Sequence, residues 1–166
     1  MGIPRADIER LYDELGPALL AYARSIVGGA GEAEDALQEV FVALMARKSE
    51  LPREPRPYLF RAVRNTCLNR RRAMARLAPE VDAPPMFLEP AGLPGLARDV
   101  EDALAALPEE QRHVVVLRIW AEMTFEETAH VLEIPANTAA SRYRYALGKL
   151  RRRFGARVRC DDARRA

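Results

Sequence analysis

Apolar side chains recur at helical spacing almost from the start of the chain. Ile8, Leu11, Tyr12, Leu15, Leu19, Tyr22, Ala23 and Ile26 stand mostly three or four residues apart, which gathers them on one face of an α-helix. Gly16-Pro17 predicts a kink or break, because a proline ring removes an amide donor and crowds the preceding turn. Gly28, Gly29 and Gly31 end the run. A second helix is expected from about Glu32, burying Leu37, Val40, Phe41, Leu44 and Met45. Pro52, Pro55 and Pro57 make residues 48–57 a loop, and a third helix begins near Tyr58 with Leu59, Phe60, Val63 and Cys67 inward.

Periodicity then fails. Residues 77–97 hold five prolines (79, 84, 85, 90, 94) with Gly92 and Gly95, the composition of a linker. Met86, Phe87 and Leu88 leave two roles open for it, a flexible tether or a segment that docks on a partner. Helical spacing returns at Val100, Leu104 and Leu107, and Pro108-Glu109-Glu110 opens a helix that buries Val114 to Trp120. Thr124-Phe-Glu-Glu127 has the form of a capping box, in which the threonine hydroxyl and the glutamate satisfy free amides. Ala129 and Leu132 continue that helix inward to Glu133-Ile-Pro135, a three-residue turn before a long basic helix from about Ala136 to Phe154. Its inward positions are Ala139, Tyr143, Ala146, Leu147 and Leu150. Short helix, turn, long helix is the helix-turn-helix order.

The pattern predicts an all-α protein of two small helical domains, 1–76 and 98–155, joined by a Pro-rich flexible linker, 77–97, and followed by a tail, 156–166. Its 166 residues, 49% hydrophobic and 30% charged, suffice for a folded core. The net charge of +2 hides local extremes: 61–76 holds six arginines and no carboxylate, and Lys149, Arg151, Arg152 and Arg153 form a second basic run. Cys67 and Cys160 stand far apart without a histidine or cysteine at ligand spacing, so no metal site, disulfide framework or cofactor is expected. Neither a signal peptide nor an apolar stretch long enough to span a bilayer is legible, which predicts a cytoplasmic protein.

Three polar faces carry candidate chemistry. On the second helix, Asp35, Gln38, Glu39 and Val42 share an outward strip with no basic neighbour close in sequence. On the third, Arg61, Asn65, Asn69 and Arg72 fall within about a quarter-turn, at about 100° per residue. On the last, Asn137, Thr138, Ser141, Arg142, Arg144 and Tyr145 face outward and can donate to phosphates and base edges.

The segment LPEEQRHVVVLRIWAEMTFEETAHVLEIPANTAASRYRYALGKLRRRF, 107–154, resembles region 4 of bacterial sigma factors of the extracytoplasmic-function (ECF) group within the sigma-70 family. AEDALQEVFVAL, 33–44, is similar to that group's region 2.2, and YLFRAVRNTCLNRRR, 58–72, to its regions 2.3 and 2.4. The resemblance implies a non-catalytic subunit that binds core RNA polymerase (β and β′ subunits) and promoter DNA. It would read a duplex minus-thirty-five element and help melt and capture a minus-ten element. Asp35, Gln38, Glu39 and Val42 would meet the β′ coiled coil. Asn65 matches the asparagine that holds a flipped non-template base, and Tyr58, Arg61, Arg64, Asn69 and Arg72 offer stacking and phosphate contacts beside it. Phe60 is assigned to the core. An anti-sigma factor and a monomeric free state are implied likewise.

The chain departs from the family pattern in three places. Leu-Pro-Arg-Glu-Pro, 51–55, stands where Phe-Arg-Gly is usual before region 2.3, and Tyr58 where tryptophan is common. Pro135-Ala-Asn-Thr-Ala-Ala-Ser-Arg142 replaces Pro-x-Gly-Thr-Val-Lys-Ser-Arg, so Asn137 takes a glycine's place and Ala140 a lysine's. Glu133 stands where the turn glycine supports a left-handed backbone.

Two other classes compete. A stand-alone helix-turn-helix regulator with an N-terminal sensor or dimerisation domain would need a dimer to match paired half-sites, and no heptad seam is present. A metal-dependent nuclease would need converging carboxylates, yet Glu34-Asp35 and Glu126-Glu127 point about 100° apart on their helices. His113 and His130 have no nucleophile nearby in sequence and read as solvated or core histidines.

Overall fold

The computed structural model describes residues 2–75 and 95–165, with side chains as far as residue 155; most of the expected linker lies outside the described residues. The described residues form seven helices and no strand: α1 (Arg5–Val27), α2 (Ala30–Met45), α3 (Pro55–Met74), α4 (Leu96–Ala105), α5 (Glu109–Ile119), α6 (Phe125–Leu132) and α7 (Ala136–Arg165).

α1 to α3 form the first bundle, each pair in contact. Ile3 and Ile8 bracket the start of α1 at the spacing of a hydrophobic staple, and both are buried. Gly28 closes α1 at φ 82°, where a Cβ would be strained, and its amide caps Arg24. The expected break at Gly16-Pro17 does not occur: α1 runs through Pro17. The ring faces solvent, and the buried stripe on both sides of it, Leu11 and Leu15 before and Leu19 and Tyr22 after, holds the helix to its neighbours. α3 also starts earlier than expected. Pro55 and Pro57 belong to its first turn, where amides lack intrahelical partners and a missing N–H costs little. Met45, expected inward, is 56% exposed at the last position of α2, and Tyr12 on α1 and Ile119 at the end of α5, also expected inward, are 48% and 45% exposed.

The second bundle packs α5, α6 and α7 with α4 at their edge. α4 begins at Leu96, inside the span expected to be linker. Val114, Val115, Val116 and Leu117 are fully buried on α5, so that helix is wrapped on nearly all sides. Thr124 and Glu127 form the capping box: Glu127 N donates to Thr124 Oγ1 at 3.1 Å, and Thr124 N donates to Glu127 Oε2 at 2.7 Å. Arg118 lies over the Phe125 ring at 4.4 Å, and Phe125 meets Tyr143 edge-on at 5.7 Å, tying α5, α6 and α7 together. α7 continues to Arg165, through the span expected to be a tail.

The two bundles are not separate. α1 packs on α5 and α3 on α6, and buried residues of both belong to one hydrophobic cluster. At the seam, Tyr22 meets Phe60 on its own side at 5.8 Å and His113 on the other at 5.7 Å. Arginines of α3 reach across: Arg71 pairs with Glu109 at 3.0 Å, Arg61 with Glu133, and Arg56 donates to the Ala121 carbonyl.

Candidate polymerase and nucleic-acid interfaces

The strip on α2 is exposed at all four positions, with Val42 58% accessible. Its acid is not without a local base, as sequence spacing had suggested. Arg70 of α3 sits against it, 2.9 Å from Glu39 and 3.7 Å from Asp35. One guanidinium shared by two carboxylates leaves the strip net acidic but holds it in place. Because these groups are largely solvated, the pairs contribute little to stability and can be exchanged for a partner's cations.

The minus-ten candidates divide into two groups. Tyr58, Arg61 and Asn65 line one cavity of about 500 Å³, whose other walls are Pro52, Arg53, Glu54, Ala62 and, from α6, His130. Asn65 is exposed into it, whereas Phe60 is fully buried and belongs to the core. Arg72 donates to Asn69 Oδ1 at 3.2 Å farther along the same face. Arg64 points elsewhere: it is half-buried at the seam, where its charge acts on Tyr22 and His113. A contact missed by sequence reasoning is Arg47, which donates to the Tyr58 hydroxyl at 2.8 Å and lies over its ring at 5.2 Å. This fixes the ring at the cavity mouth, and the loop between the two residues hides the pairing from any periodicity.

On α7, Asn137, Arg144 and Tyr145 are exposed, Tyr145 at 61%, and Arg144 stacks over the Tyr145 ring at 5.7 Å. Thr138, Ser141 and Arg142 are half-buried, and Arg142 pairs with Glu110 of α5 at 2.8 Å. Glu133 adopts φ 57° and ψ 45°, the left-handed geometry that the turn demands, and its amide caps Ala129.

Burial governs the titratable groups. His113 is pushed down to about 4 by desolvation, which the Glu109 carboxylate 3.9 Å away only partly offsets. Glu109 is held below the usual carboxylate range by its bond to Arg71. Desolvation raises the Cys67 thiol to about 11, so this cysteine is inert packing. Among the described residues no three His, Cys, Asp or Glu side chains gather as metal ligands, and no helix is long and apolar enough to cross a membrane.

A basic recognition helix behind a capped partner helix, coupled to a bundle with an acidic strip and a polar cavity, defines a two-domain helix-turn-helix transcription protein. Family comparison specifies it further. Residues 11–77 match Sigma-70 region 2, and residues 103–152 match Sigma-70 region 4. The chain is 31% identical over 153 residues to the ECF RNA polymerase sigma factor SigL of Mycobacterium tuberculosis, covering 85% of each. It is 33% identical over 144 residues to an RNA polymerase sigma-E factor of Streptomyces avermitilis, covering 84% of this chain and 80% of that one. Its fold matches the sigma factor RpoE of Bartonella quintana, solved with the anti-sigma factor NepR, at TM-score 0.75 and 23% identity, covering 90% and 97%. The chain belongs to the sigma-70 family, as an ECF-type sigma factor: it binds core RNA polymerase and directs initiation at its promoters.

Proposed function

We propose that the three faces divide the sigma factor's work, with no chemistry of its own and in the cytoplasm. Domains 1–76 and 98–155 serve as region 2 and region 4 across linker 77–97. Asp35, Gln38, Glu39 and Val42 dock on the β′ coiled coil, where a basic partner replaces Arg70 and the exposed valine adds apolar contact. Tyr58, Arg61 and Asn65 hold the melted minus-ten strand, with Asn69 and Arg72 extending the path and Arg64 joining once the seam opens. The observation that carries this reading is the grouping on α3 itself: an aromatic ring, an amide and a guanidinium line one cavity, the set of groups that suits one extruded base and its phosphate.

Asn137, Thr138, Ser141, Arg144 and Tyr145 read the minus-thirty-five duplex, and Arg142 joins them if Glu110 releases it. An anti-sigma factor restrains the chain, as NepR accompanies RpoE in the related fold.

Reconstitution with core polymerase on a template bearing a mapped promoter tests the scheme. The chain should support specific initiation, and Arg144→Ala should weaken duplex minus-thirty-five binding by about 1 to 3 kcal/mol if the guanidinium reads a base edge. Wild-type duplex affinity in that variant would remove Arg144 from the reading face.

A further inference from the structure

Glu133 ends α6 in the left-handed region, where an L side chain is strained and glycine is the least costly residue. Its carboxylate does not merely point into solvent. It pairs with Arg61 of α3, seventy-two positions away in the sequence, on the face assigned above to the minus-ten strand. One turn earlier on the same helix, His130 forms a wall of the cavity that Tyr58, Arg61 and Asn65 line. α6 thus brings an anion to the guanidinium where a phosphate would sit, and an imidazole to the space where a base would sit. Carboxylate and phosphate compete for the same fork of donors, so one guanidinium serves one of them fully at a time.

Distance makes the competition obligatory. Asn137 follows Glu133 by four residues, so it lies no more than about 14 Å of chain from the residue touching Arg61. Promoter elements centred about 25 base pairs apart are about 85 Å apart at about 3.4 Å per pair. The packed arrangement cannot span them, and the contact between Arg61 and Glu133 must break before both elements are held.

We propose that Glu133 is an internal latch, a carboxylate standing in for a DNA phosphate on Arg61, by which the free sigma factor masks its own strand-capturing cavity until its two domains part. The inference rests on the assignment of Arg61 to the melted strand. Both partners are about half exposed, which suits a contact that yields to DNA rather than a permanent bond.

The test uses the full chain and the anisotropy of a fluorescein-labelled single-stranded DNA dodecamer of random sequence. Binding by the basic end of α7 is common to every variant. Glu133→Gln and Glu133→Gly should bind the dodecamer about two- to fivefold more tightly, the span that one exposed ion pair allows. Glycine suits the φ of that position, so a thermal melt of this variant guards against misfolding as the cause. In a Glu133→Gln background, Arg61→Ala should cancel that gain, because the freed guanidinium is what takes the strand phosphate. Wild-type affinity in both Glu133→Gln and Glu133→Gly overturns the latch. A gain that survives Arg61→Ala gives a different pattern: it overturns the assignment of Arg61 to the strand, and the latch with it.

Discussion

Thr124 satisfies the start of α6 with its hydroxyl while Glu127 reaches back to the Thr124 amide, a reciprocal arrangement legible from four consecutive letters because every partner is local. Thr124→Ala leaves an amide of the first turn unsatisfied and should destabilise the fold by about 1 kcal/mol, read as a lower denaturation midpoint. A midpoint that stays put would mean solvent replaces the hydroxyl at no cost. The contrast is Arg70. It was one more arginine in a basic run, and only the packing of α3 on α2 places it between Asp35 and Glu39. Arg47 and Arg64 carry the same lesson, since a long side chain reaches as far as the next helix and its partner is set by tertiary contact. Helical phase alone put Phe60 in the core and Asn65 on the polar face, whereas the choice of Asn65 as a base-holding candidate came from the family resemblance and the cavity beside it was not foreseen.

Among the helices, interiors were legible and ends were not. The apolar stripes of α1, α2, α3 and α5 place most of their buried residues correctly because burial repeats every turn, but Tyr12, Met45 and Ile119, all expected inward, are exposed, the last two at helix ends. Prolines misled in both directions. Pro17 sits inside α1 despite its missing amide, whereas Pro55 and Pro57 begin α3 where sequence reading had placed a loop. Pro17→Ala should restore a bond to the preceding turn and raise stability by about 1 to 3 kcal/mol, seen as a higher melting temperature. A lower one would show that the exposed ring contributes packing. α7 outlasts its expected end at Phe154, as Gly155 alone does not stop it.

In the whole molecule, two domains and their order were legible, but their packing was not, because the seam is built from side chains that each read as ordinary core or ordinary surface. His113 is the clearest case. Its burial against Tyr22 holds it neutral, with Glu109, Arg64, Arg71 and Arg112 as the charges acting on it. The unfolded histidine takes up a proton near its ordinary value of 6.5, the buried one only near about 4. Stability is therefore complete above pH 6.5, falls between 6.5 and 4, and loses nothing further from this group below that. Glu109, held low by Arg71, adds a loss of the same sign at the acid end. By pH 5 the histidine should cost about 2 kcal/mol, visible in thermal melts from pH 8 to 5 and flattened in His113→Gln. A wild-type melting temperature indifferent to pH over that range would show the imidazole to be open to water.

The shared core at Tyr22 and His113 also bears on competition for polymerase. If only the parted form is competent, the dissociation constant polymerase experiences is the intrinsic one divided by the parted fraction. Every 1.4 kcal/mol or so of closure raises it about tenfold. Domain motions of this kind equilibrate within about microseconds to milliseconds, so closure sets a concentration threshold rather than a delay. At low copy number the chain stays folded on itself and leaves polymerase to other sigma factors; above the threshold, once free of its anti-sigma factor, it competes for polymerase.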